Sequence, residues 1–217
     1  MWSAAILAGG LARRLGGQDK SALIVNGVRL LDRQLATLRP LTDTILLVGA
    51  RGTVPRDCRV VNDLRPGTGA LGALYTALQC SPTPRLLVLA ADMPFVTRRF
   101  LAYLAAVDEH APAVVPVSGG RWHPLCAMYA TTAAESLAAA LDRGERVVRD
   151  TVAALDPRLL TETDLAPFDP DGRLFANLNT PDDLARWGAS PAGGTDPDHG
   201  RGRHRTARIE ASQTTDR

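Results

Sequence analysis

Residues 4–20 read Ala4-Ala5-Ile6-Leu7-Ala8-Gly9-Gly10-Leu11-Ala12-Arg13-Arg14-Leu15-Gly16-Gly17-Gln18-Asp19-Lys20, a short apolar run that breaks into a glycine-rich loop. The run is continuous rather than alternating, as expected of a parallel strand covered on both faces. Gly9 and Gly10 let the backbone turn through positive φ and present consecutive N–H groups to a ligand. Arg14 and Lys20 can then reach a polyphosphate held in that cradle, and Gly16-Gly17 adds turn capacity. Among 25 lysines and arginines Lys20 is the one lysine. Its compact ammonium meets phosphate oxygens as a point charge, unlike the flat arginine fork. Chance survival in an arginine-biased composition is the alternative. The loop is neither GxxxxGK followed by Ser or Thr nor GxGxxG, so a Walker P-loop and a dinucleotide fingerprint both fail. Asp19 suits orienting the loop better than acting directly.

Outward from this stretch, Thr44–Gly49 and Arg85–Ala91 are further buried runs. Val60–Val61, Ala113–Val117 and Leu125–Tyr129 are additional strand candidates. Between them lie segments of helical spacing: Arg29–Leu38, with Leu31, Leu35 and Leu38 on one face, then Leu71–Cys80, Arg98–Val107, Thr132–Leu141, Glu145–Leu155 and Pro181–Trp187. The alternation predicts an α/β fold, a doubly wound, mostly parallel sheet with helices on both faces. Ligands bind beyond the carboxyl ends of such strands. One domain over residues 1–188 is expected. Residues 189–217 are rich in Gly, Pro, Asp, Thr and Arg, with Ile209 the only large apolar side chain, and read as a disordered tail.

The 217 residues are 45% hydrophobic and 22% charged with a formal net charge of +2, which gives no sign of nucleic-acid or membrane binding. Cys58, Cys80 and Cys126 are widely spaced, which argues against a disulfide framework or a zinc site and for a reducing, cytoplasmic setting. No apolar run approaches the ~20 residues of a membrane helix, and the amino terminus lacks a secretory pattern.

Asp92 follows the run Leu86–Ala91 at a strand's carboxyl end, where a carboxylate can hold Mg²⁺ against phosphate oxygens. A helix cap is the competing explanation. Asp63 ends the Val60-Val61 strand ahead of a glycine-rich turn that opens a helix; it suits either contact with a sugar or base, or turn initiation. His123-Pro124 lies in a polar loop leading into the Leu125–Tyr129 strand. Asn177 and Asn179 point the same way on an extended segment, while Thr180-Pro181 has the form of a helix cap with proline at the first position.

Together these residues resemble the molybdenum cofactor guanylyltransferases, a MobA-like family within the nucleotidyltransferases. The resemblance runs from about Ala4 to Trp187. It is carried by Leu7-Ala8-Gly9-Gly10, Arg14-Leu15-Gly16, Asp19-Lys20, Ala91-Asp92-Met93-Pro94, His123-Pro124-Leu125-Cys126-Ala127, Gly144-Glu145-Arg146 and Asn177-Leu178-Asn179-Thr180-Pro181. It implies that Leu7, Ala8, Gly9 and Gly10 meet a guanosine nucleotide, that Lys20 meets its phosphates, and that Asp63 contacts the nucleotide. Asp92 would be the Mg²⁺ ligand, and His123, Asn177 and Asn179 would lie near the acceptor. The implied partners are GTP, molybdopterin or the molybdenum cofactor, molybdenum-insertion proteins and molybdoenzyme chaperones. Two departures stand out: Ala70 replaces a proline in the turn Thr68-Gly69-Ala70-Leu71-Gly72, and Val48 falls where the family has a nucleotide-contacting asparagine.

The implied reaction has a molybdopterin phosphate attack the α-phosphate of GTP with loss of pyrophosphate. Lys20, Arg14 and Mg²⁺ on Asp92 would neutralise charge. Its rivals are a transferase using CTP or another phosphate acceptor, and a non-catalytic GTP-binding or cofactor-delivery module.

Overall fold

Alternate residues of the central strands send their side chains to opposite faces, and two separate cores result. On one face Ala4, Ile6, Ile45, Leu47, Leu87 and Leu89 pack with Leu31, Leu35, Leu38, Phe100, Leu101 and Leu104. On the other Ala5, Leu7, Leu46, Val48, Leu86 and Val88 pack with Leu71, Leu74, Leu78, Leu137, Leu141 and Val152. The continuous apolar runs are therefore strands buried on both sides.

The computed structural model describes residues 1–9, 11–12, 18–19, 23–50, 54–178, 180–187 and 189–190. In chain order the elements are β1 (Ser3–Leu7), β2 (Leu11–Ala12), β3 (Gln18–Asp19), β4 (Ile24–Val25), β5 (Val28–Arg29), α1 (Leu30–Leu38), β6 (Ile45–Val48), β7 (Arg59–Val61), α2 (Gly69–Gln79), β8 (Arg85–Ala90), α3 (Arg98–Ala106), β9 (Ala113–Ser118), β10 (Arg121–Trp122), β11 (Cys126–Ala130), α4 (Ala133–Asp142), α5 (Val148–Ala153), β12 (Arg158–Leu160), α6 (Glu162–Leu165), α7 (Pro181–Trp187) and β13 (Ala189–Ser190). The main sheet runs β10-β9-β11-β8-β1-β6-β7, with β12 added to β9. β1 is parallel to both β6 and β8, and β6 to β7. β11 is antiparallel to both of its neighbours. After β1 the chain builds β6 and β7 on one side, then crosses back to place β8 on the other. The reversal opens a crevice at the strands' carboxyl ends.

Three details differ from the sequence expectations. A hairpin joins β4 to β5 through Asn26-Gly27, both at positive φ (50° and 75°), the two-residue turn that matches strand twist. The helix expected from Glu145 begins at Val148. Gly144 and Glu145 instead close α4, with Gly144 N–H on the Leu141 carbonyl and Glu145 N–H on the Ala140 carbonyl, a Schellman end. Ala189–Ser190, read as the start of the tail, pairs with β4 and so satisfies backbone groups of that edge; residues 191–217 lie outside the described residues.

Candidate active site

The crevice at the switch point is an open cleft of about 720 Å³. The ends of β1, β6, β7 and β8 supply Leu7, Ala8, Gly9, Val48, Gly49, Asn62, Asp63, Ala91 and Asp92, and the approach to α2 supplies Pro66, Gly67, Gly69 and Ala70. Its floor is stitched by backbone bonds: Ala8 N–H to Val48 O at 2.9 Å, Gly49 N–H to Val61 O at 2.9 Å and Ala91 N–H to Leu7 O at 3.2 Å. Gly49 sits at φ 67°, and a Cβ there would stand 2.8 Å from the Gly9 Cα. The ends of β1 and β6 thus meet as bare backbone, which leaves the cleft floor open to a ligand.

Asp92 stands half-buried one residue past Ala91, on this floor. Its capping explanation fails, because Thr97 caps the following helix by accepting from Phe100 N–H at 3.3 Å. The peptide around Asp92 is fixed from two sides. Gln34 of α1, 3% exposed, donates from Nε2 to Ala90 O at 2.7 Å, and Leu178 N–H donates to the Asp92 carbonyl at 3.0 Å.

At the far end Asp63 does initiate a turn: its Oδ1 accepts from Arg65 N–H at 2.9 Å and from the Thr76 hydroxyl at 3.1 Å. Thr76, fully buried in α2, in turn accepts from Leu64 N–H at 3.0 Å. The Thr68 hydroxyl donates to Arg65 O instead of capping α2, so the cleft-lining start of that helix has no side-chain cap. Gly72 is enclosed by this loop, since a Cβ there would overlap Thr68 and the Arg65 carbonyl.

A second set of groups gathers on the segment from Phe175 to Leu178, whose Leu178 N–H bonds the Asp92 carbonyl. The His123 ring stacks on Phe175 with centroids 4.1 Å apart and planes 13° from parallel. Burial first, and then the Arg121 guanidinium, push its imidazole down to about 4, so it is neutral at physiological pH. His123 Nε2, Asn177 Oδ1 and Gln34 Oε1 are buried with no hydrogen-bond partner among the described residues. Asn177 is tied to the site through its neighbour Leu178, which bonds Asp92. Thr180 and Asp183 form a reciprocal cap on α7, Thr180 N–H to Asp183 Oδ2 at 2.9 Å and Asp183 N–H to Thr180 Oγ1 at 3.1 Å. The capping reading of that segment therefore holds. Cys126 offers no nucleophile, since burial pushes its thiol up to about 12.

Of the residues expected from sequence, Leu7, Ala8, Gly9, Asp63 and Asp92 share one cleft; Asn177 precedes Leu178, which bonds the Asp92 carbonyl, and His123 stacks on Phe175. Gly10, Arg14, Lys20 and Asn179 lie outside the described residues; β2 and β3 on either side of residues 13–17 pair antiparallel. Gln34, Gly49, Asn62 and Phe175 were not expected. Gln34 alone had a visible signal, because it falls three residues after Leu31 on the apolar face of α1.

A sheet of this topology, with an acid at the end of β8 and a bare-backbone crevice beside it, defines a nucleotidyltransferase. The chain belongs to the family of MobA-like NTP transferase domains, whose model matches residues 4–158. It is 39% identical over 197 residues to a "probable molybdenum cofactor guanylyltransferase" of Chloroflexus aggregans, covering 85% of this chain and 92% of that relative. It is 36% identical to the molybdenum cofactor guanylyltransferase of Rhodopseudomonas palustris, covering 84% of this chain and 88% of the other. The crystal structure of molybdopterin-guanine dinucleotide biosynthesis protein A from Archaeoglobus fulgidus superposes with a TM-score of 0.73 at 29% identity, covering 86% of this chain and 96% of that one.

Proposed function

We propose that this protein is a molybdenum cofactor guanylyltransferase, moving GMP from GTP to the phosphate of molybdopterin or its molybdenum-loaded form. A phosphate oxygen of the acceptor attacks the α-phosphorus of GTP. The bond from that phosphorus to the bridging oxygen of the β-phosphate breaks, and pyrophosphate leaves with the electron pair. The attacking oxygen is already anionic at neutral pH, so no general base is required, and catalysis rests on position and charge neutralisation.

The observation that carries this reading is Asp92 on the floor of the open cleft that also holds Leu7, Ala8, Gly9, Asn62 and Asp63, with the unpartnered Asn177 carbonyl one residue from the Leu178 N–H that bonds the Asp92 backbone. The stacked, neutral His123 is assigned to the same acceptor side. The cleft suits GTP, with the triphosphate toward Asp92. Buried unpartnered polar atoms beside a carboxylate suit a polar heterocycle such as a pterin. Lys20 and Arg14, from the loop after β1, are assigned to the triphosphate and the departing pyrophosphate.

Asp92 also fits Mg²⁺. No group of three or more His, Cys, Asp or Glu stands together among the described residues, so an ion here would complete its shell with substrate oxygens and water. When bound, Mg²⁺ would draw charge from the reacting phosphate. The setting would be a reducing cytoplasm, with molybdenum-insertion proteins and molybdoenzyme chaperones as neighbouring partners; no helix among the described residues is long and apolar enough to cross a membrane.

The test is pyrophosphate release by the purified protein with Mg²⁺, molybdopterin and GTP, CTP or ATP in turn. GTP alone should support turnover. Faster turnover with CTP would reassign the nucleotide, and GTP binding without release would make this a delivery module.

A further inference from the structure

We infer that Asn62 is the side chain that reads the nucleobase, an assignment resting on the nucleotide-transfer reading of this cleft. Asp92 follows β8 and Asn62 follows β7, three strand steps away across β1 and β6. At ~4.8 Å per step this is ~14 Å, so a ligand that puts phosphates at Asp92 puts its base toward β6 and β7.

At that end the lining side chains offer little besides Asn62. Val48 is apolar, Gly49 has no side chain and Ala50 a single methyl. The Asp63 Oδ1 already accepts from Arg65 N–H of its own loop and from the Thr76 hydroxyl of α2. Asn62, in contrast, is exposed, lines the cleft, and its carboxamide makes no hydrogen bond among the described residues. It is nevertheless held in place. Val61 pairs in register with Val48, and its carbonyl accepts from Gly49 N–H at 2.9 Å, so Asn62 emerges directly after the last ladder bond. Val48 is packed into the core, so the β6 edge next to that amide presents the bare backbone of Gly49.

A carboxamide presents a donor and an acceptor in one plane, matching a base edge. For guanine, Nδ2–H meets O6 and Oδ1 accepts from N1–H. A carboxylate at the same position could only accept. It would bond N1–H and the 2-amino group of guanine, but would face lone pairs at adenine N1 and cytosine N3.

The experiment is calorimetric binding of GTP, ATP, CTP and inorganic tripolyphosphate to the full chain with Mg²⁺ and no acceptor. Asn62→Ala should weaken GTP about 3- to 10-fold, the worth of one or two hydrogen bonds, leave tripolyphosphate unchanged and keep the melting temperature. Asn62→Asp should retain GTP and weaken ATP and CTP by a further ~10-fold. Unchanged GTP affinity in the alanine variant, equal loss for tripolyphosphate, or an aspartate variant binding ATP and CTP like the wild type would each overturn the assignment. If wild-type protein binds GTP with this dependence yet releases no pyrophosphate with molybdopterin, the transfer reading fails while Asn62 stands. If it binds no nucleoside triphosphate, both fail.

Discussion

The loop after β7 is bonded to itself, whereas the groups beside β8 are left wanting. In the first region Asp63, Thr76 and Thr68 spend their polar atoms on the turn that opens α2, and Gly72 leaves room for that turn. In the second, His123 Nε2, Asn177 Oδ1 and Gln34 Oε1 are buried without partners among the described residues. An unmet buried polar atom costs about 1–3 kcal/mol. Each such atom in a native fold calls for an explanation, and a ligand is one. One region is therefore a closed hydrogen-bonded turn, and the other keeps polar atoms that the acceptor is proposed to meet. Substitutions should separate the two, with stability lost at Thr68, Thr76 or Gly72, which hold the turn, and function lost at the second.

The largest effect belongs to the group between the regions. Asp92→Ala should lower pyrophosphate release at least ~100-fold, the scale for removing a key electrostatic group, with an unchanged melting temperature. Lys20→Ala should act in the same direction, and wild-type turnover in either variant would refute its role. Next comes Gly49→Ala, which forces a side chain into a left-handed conformation and against the Gly9 backbone. It should destabilise the protein by about 2–3 kcal/mol in urea unfolding.

Asn177→Ala tests the other side. It should leave stability within ~1 kcal/mol or raise it, because an unmet carbonyl is removed, while the KM for molybdopterin rises ~10-fold and that for GTP holds. A large stability loss would erase the contrast.

The smallest effect is the pH response of His123. Its imidazole titrates at about 4 in the fold against an ordinary 6.5, so between these values the unfolded chain binds more protons. Stability should fall as pH drops from 6.5 toward 4. His123→Gln should flatten that slope in thermal melts collected across the window.

Much of this was legible in the chain. Continuous apolar runs located the central strands, because burial on both faces removes the alternation, and period-3.6 spacing located most helices. Asp92 was legible only as an acid directly after such a run, open to a metal or a capping reading alike, and Thr97 is the residue that caps α3. The Asn26-Gly27 pair carries an equally clear signal, since it favours a two-residue turn, directly before the helical spacing of Arg29–Leu38. Phe175 and Asn62 were not legible. Phe175 meets His123 only through tertiary packing, and Asn62 gains meaning only once the ladder from β6 to β7 sets it beside Val48. Asp63 shows a different limit, because one side chain can build a turn and line a cleft together.

The most direct measurement follows labelled phosphorus. With Mg²⁺ and molybdopterin, GTP labelled at the α-phosphate should pass its label to the pterin product, and GTP labelled at the γ-phosphate should yield labelled pyrophosphate. Label from the γ position on the pterin, or α label bound covalently to the protein, would contradict direct displacement at the Asp92 cleft.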